Sequence, residues 1–82
     1  MDMVNFVTLR QEVVNGVSYS VWPGSPFDRG SADYYYGRAP NPNCFTAPGT
    51  MIHRDSMTPA DIDAYFAGYS FQAELGDTKD WG

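Results

Sequence analysis

From residue 3 to residue 22 the chain reads MVNFVTLRQEVVNGVSYSVW, with β-branched residues interleaved with polar ones on both sides of Asn15–Gly16. An Asn–Gly pair between such runs is the signal of a two-residue hairpin turn. A turn there sets Val14 opposite Val17, Val13 opposite Ser18 and Leu9 opposite Trp22. That register gathers Val7, Leu9, Gln11, Val13 and Trp22 on one face. Met3, Phe6, Val7, Arg10, Val13 and Val14 also follow a helical spacing of 3.6. The β-propensity of the run and the turn favour the hairpin. Two strands alone are marginal, so the hairpin must pack against something else.

The pattern then changes. Ser25-Pro26-Phe27-Asp28 offers a hydroxyl cap, a proline at the first helical position and an acid in the first turn. It predicts a helix from about Pro26 to Tyr36, stopped by Gly37. Phe27, Gly30, Ser31 and Tyr34 share one of its faces. At 100° per residue, Tyr34, Tyr35 and Tyr36 point in different directions, so at least one reaches the surface. Thr58-Pro59-Ala60-Asp61 repeats the start signal and predicts a second helix from Pro59 to Leu75, ended by Gly76. Its main stripe is Ile62, Tyr65, Phe66, Tyr69 and Ala73; Ala64, Gly68, Phe71 and Leu75 form a second. A helix apolar on two sides belongs at the centre of the fold. Gly30 and Gly68 each weaken a helix by about 1 kcal/mol, which points to close approach of another element at those positions.

Residues 38–57 contain Pro40, Pro42, Pro48 and a Pro48–Gly49 turn signal, and predict a long loop. So long a loop in a small domain is either pinned by Phe45, Met51, Ile52 and Met57 or functional. The tail, GDTKDWG, brings Trp81 either back to the core or out as an anchor. The chain is therefore expected to be one α+β domain of 82 residues, a hairpin beside two helices.

Hydrophobic residues at 43 % and aromatics at 16 % exclude a disordered acidic tail. A net charge of −5 repels phosphate backbones and disfavours direct nucleic-acid binding. The single cysteine, Cys44, excludes an internal disulfide and fits a reducing compartment. No apolar run nears the roughly 20 residues of a membrane span, and the N-terminus lacks a signal-like block. A soluble cytoplasmic protein is expected.

The chemistry is sparse. Cys44 and His53, single examples of their kinds, make too few ligands for zinc and have no orienting third group. Asp61-x-Asp63 and Asp77-x-x-Asp80 lack the glycine and final glutamate of a calcium loop. Gly24, Gly30 and Gly37 do not space as a phosphate loop. The expectation is a non-enzymatic protein with no cofactor and no metal. Recognition remains: tyrosine, tryptophan and arginine are the anchors of interfaces. Arg29, Tyr35, Tyr36 and Arg38, with Trp81, are the candidate partner-binding residues. The competing structural role is an Arg29–Asp33 pair at i, i+4, with the tyrosines closing a thin core.

PFDRGSADYYYGR, MTPADIDAYFAGY and GDTKDWG together resemble a group of short uncharacterised proteins of bacteriophages and proteobacteria. That resemblance covers residues 26–82 and carries no activity. More loosely, the Arg–Gly opening, the proline-containing linker and Tyr65, Gly68 and Tyr69 are similar to ribosome modulation factor, a basic two-helix RNA-binding protein. With chemistry excluded, the expected function is a protein-binding module, of phage or mobile-element origin as the first resemblance implies, that contacts a host or viral protein, its acidic surface meeting a basic one or imitating nucleic acid. The second implies a ribosome- or RNA-associated modulator using Arg29, Arg38 and the tyrosines.

Overall fold

The computed structural model describes residues 10–47, 49–76 and 78. Strands β1 (Arg10–Val14) and β2 (Val17–Val21) form an antiparallel hairpin, with Val14 opposite Val17 and Val13 opposite Ser18. Asn15 and Gly16 both take positive φ, 52° and 80°, as the expected turn requires. The expected Leu9–Trp22 pair, and Val7 with it, lies outside the described residues. Of the face expected to carry them, Gln11 is exposed and hydrogen-bonds Ser18 and Ser20, while Val13 is 63 % exposed. The opposite face packs instead: Val21 is buried, and the Tyr19 ring lies 5.6 Å from Phe27.

Helix α1 spans Pro26–Tyr35 and α2 spans Pro59–Leu75. Both start at the expected caps. The Ser25 hydroxyl accepts from the Asp28 N–H, and the Asp28 carboxylate accepts from the Gly24 N–H. Thr58 and Asp61 form a reciprocal capping box. The caps satisfy donors that a helix start otherwise leaves unpaired.

The two helices touch backbone to backbone. A Cβ on Gly30 would stand 1.9 Å from the Tyr65 carbonyl oxygen, and one on Gly68 would stand 2.0 Å from that of Phe27. The expected close approach is thus between the helices themselves. Around this crossing lie Phe27 and Tyr65, both fully buried, with the Phe71 ring 5.5 Å from Phe27. The buried line of α2 is Tyr65, Gly68 and Gln72, while Phe66 and Leu75 of the two expected stripes are exposed. Gln72 is buried, and its side-chain oxygen accepts a 2.7 Å bond from the Ser31 hydroxyl, which offsets part of the cost of burying the amide.

Residues 38–57 are not a loop. β3 (Asn43–Ala47) and β4 (Thr50–His53) form a second antiparallel hairpin, followed by a single 3-10 turn at Arg54–Ser56. Pro42 stands immediately before β3, where a strand tolerates it. Cys44 and Met57 of this segment are buried against Tyr65, with Ile52 packed beside them. The two hairpins form separate two-stranded sheets, joined by a backbone bond from the Phe45 N–H to the Gly24 carbonyl. The whole is a small α+β domain with two hairpins rather than one.

Candidate functional site

The end of α1 builds the site. Gly37, at φ 74°, terminates the helix while the Arg38 N–H donates to the Asp33 carbonyl and the Gly37 N–H to that of Tyr34. This is the Schellman arrangement, which folds the second residue past the cap back over the last turn. That contact is usually apolar. Here it is an ion pair, with an Arg38 guanidinium nitrogen 3.1 Å from Asp33 Oδ1.

Asp33 is 3 % exposed, and a buried carboxylate must be compensated. Its Oδ1 takes Arg38 and, at 3.3 Å, Arg29 one helical turn earlier. Its Oδ2 accepts from the Tyr65 hydroxyl at 2.5 Å and the Asn43 amide at 3.2 Å. Asn43 in turn accepts from Arg29 Nε at 2.8 Å, and the Tyr65 hydroxyl accepts from the Asn41 N–H at 2.9 Å. Burial holds the Tyr65 phenol well above its ordinary value; the Asn41 N–H opposes this shift and the Asp33 carboxylate adds to it. One carboxylate therefore ties α1, β3, the segment between them and α2 together.

Beside this network lies an open groove of about 550 Å³. Arg29, Tyr36 and Arg38 line it together with Met51 and His53 of β4. Arg38 keeps 55 % of its side chain exposed, and its guanidinium lies 5.0 Å from the centre of the Tyr36 ring. Tyr36 and Met51 are 40 % and 38 % exposed. A second open groove, about 560 Å³, is lined by Trp22, Gly24, Asp28, Arg29 and Phe45.

The structure thus brings together Arg29, Tyr36 and Arg38 of the expected patch. Tyr35 stands next to them, its ring edge-on to Tyr36 at 5.0 Å. Tyr34 turns the other way, edge-on to Tyr69 of α2 at 5.2 Å, and is half-buried rather than part of the core. Trp81 lies outside the described residues. Arg29 has the expected bond to Asp33 and is mostly covered, with 22 % of its side chain exposed. Met51 and His53 were missed because their segment reads as loop, and Asp33 because an i, i+4 acid–base pair reads as surface. The Asp33–Arg38 spacing around a helix-ending glycine was the available signal.

Cys44 pairs across the ladder with Ile52, one position from His53. Neighbouring strand residues point to opposite faces; Cys44 is buried and His53 exposed, so thiol and imidazole face apart. Burial, with Asp61 nearby, raises the Cys44 thiol above its ordinary value. Among the described residues there is no cluster of three or more His, Cys, Asp or Glu fit for a metal, and no helix long and apolar enough to cross a membrane. No protein family, curated protein or solved structure matches the chain.

Proposed function

We propose that this domain is a non-enzymatic protein-binding module whose contact surface is the Tyr36–Arg38–Met51 groove. The observation that carries the proposal is the Arg38–Tyr36 pair, held out to solvent beside an exposed methionine on a frame fixed by Asp33. Tyrosine, methionine and arginine are the side chains enriched in interfaces. Because the frame is already ordered, binding there loses little conformational entropy. The resemblance of three of its motifs to short phage proteins supports a host or viral protein as the partner.

Affinity capture from host lysate, with and without nuclease, tests this when the native chain is run beside Tyr36→Ala and Met51→Glu variants. A partner retained after nuclease and lost in both variants, with their thermal unfolding unchanged, is the expected result. A partner that both variants keep would remove the groove from the proposal. Nuclease-sensitive capture of ribosomes, weakening steeply with salt, would favour the ribosome- or RNA-associated alternative instead.

A further inference from the structure

The charge inside the groove differs from that of the chain. Two guanidinium groups, Arg29 and Arg38, converge on one carboxylate, Asp33, the only acid among the described residues that line the groove. Among the described residues, one positive charge of the groove is left unmatched, in a protein whose net charge is −5. The oxygens of Asp33 are occupied, so a second carboxylate is what this geometry lacks. The Arg38 fork is suited to one: it is over half exposed, and the Tyr36 ring and the Asp33 bond restrict its rotamers.

We propose that the groove binds an aspartate or glutamate side chain of a partner polypeptide on Arg38, with a flanking apolar side chain of the same partner seated on Met51. This rests on the protein-binding reading above. A single carboxylate is favoured over a nucleic-acid backbone by range. Charges farther than a Debye length, about 8 Å at physiological salt, are screened, so one short-range anion feels mainly the groove. A polyanion extends over the rest of an acidic surface and is repelled by it. The groove is open, so a chain can pass through it without ending there.

Amide and Arg Nε–H shift perturbation by NMR tests the proposal. The probes are acetyl-Leu-Glu-Leu-amide, its Gln counterpart and a short oligouridylate, each taken to tens of millimolar. The Glu peptide is expected to move resonances of residues 36–41, Asn43 and 51–53, and to bind at least about fivefold tighter than the Gln peptide, as a charge-assisted contact should. Arg38→Gln should abolish that preference. If that variant does not fold, Met51→Glu, an exposed change that adds an acid to the groove, should weaken the Glu peptide by about tenfold.

Equal binding of the two peptides, shifts confined to other surfaces, no shifts at all, or tighter binding of the oligouridylate would each overturn the proposal. Failure here alongside a groove-dependent partner in the capture experiment would remove carboxylate recognition and leave the protein-binding reading standing.

Discussion

Gly68→Ala sets two effects of known size against each other. Alanine improves helix propensity by about 1 kcal/mol. Its Cβ, however, would stand 2.0 Å from the Phe27 carbonyl oxygen, 2.8 Å from the carbonyl carbon and 3.0 Å from Cα. All three are backbone atoms of a neighbouring helix, so no side chain can rotate out of the way. Reaching even a tight 3.0 Å contact with the oxygen requires the helices to part by about 1 Å. A gap of that size forfeits roughly a quarter to a half of the dispersion energy of each contact it opens. Those contacts include Phe27 and Tyr65, the two largest fully buried side chains. Overpacking costs about 1–3 kcal/mol where side chains can adjust; against rigid backbone we expect a net loss of about 2–4 kcal/mol after the propensity gain. A domain of this size has roughly 4–12 kcal/mol in total, so the variant should be marginal. Urea denaturation followed by circular dichroism measures it. Ser70→Ala, exposed on the same helix, is the control and should change stability by less than about 0.5 kcal/mol. A Gly68→Ala midpoint at or above that of the native chain would refute the close helix crossing.

Asp33→Asn should destabilise by about 2–4 kcal/mol, because it removes the anion from Arg29 and gives Tyr65 a weaker acceptor; the Arg38 arm, over half exposed, contributes little of that. A urea midpoint within error of the native one would show that the network does not hold the fold. Stability should also fall in alkali. The Cys44 thiol and the Tyr65 phenol are raised above ordinary values of 9.0 and 10.0, so the unfolded chain loses those protons first. Their contribution is full below the ordinary values and is lost as pH rises through them toward the folded ones. Urea midpoints should drop from about pH 9 upward, and Cys44→Ala should delay the onset; a flat profile through about pH 10.5 would contradict the burial of both groups.

The elements legible in the sequence are those whose signals are local. The start and end of α2 follow from Thr58, Pro59 and Gly76, and the first hairpin's register from Asn15–Gly16. The helix crossing was legible as a pair of glycines in positions that propensity alone disfavours. The second hairpin was not, because its strands are short and the prolines of this stretch read as breakers, whereas Pro42 in fact stands just before a strand. Asp33 was hidden for a different reason. Whether an acid is buried depends on what converges on it from β3 and α2, residues 10 and 32 positions away. Which face of the first hairpin packs was likewise decided by Phe27, a residue outside it.

That the two hairpins are separate sheets, meeting through the Gly24–Phe45 bond, has a consequence for how the molecule opens. Strands in one sheet come apart together, since each ladder supports the next. Here β1 and β2 rest on the helices through Val21, the Tyr19–Phe27 ring contact and a 2.7 Å bond from the Tyr19 hydroxyl to Asp63. The groove and the Asp33 network draw nothing from residues 10–21. The first hairpin is therefore expected to open as a unit at a free energy below that of global unfolding, with amides of residues 10–21 exchanging faster than those of α2. The face formed by Tyr36, Arg38 and Met51 would keep its shape while that happens, so recognition and the integrity of the amino-terminal hairpin are separable properties of one small domain.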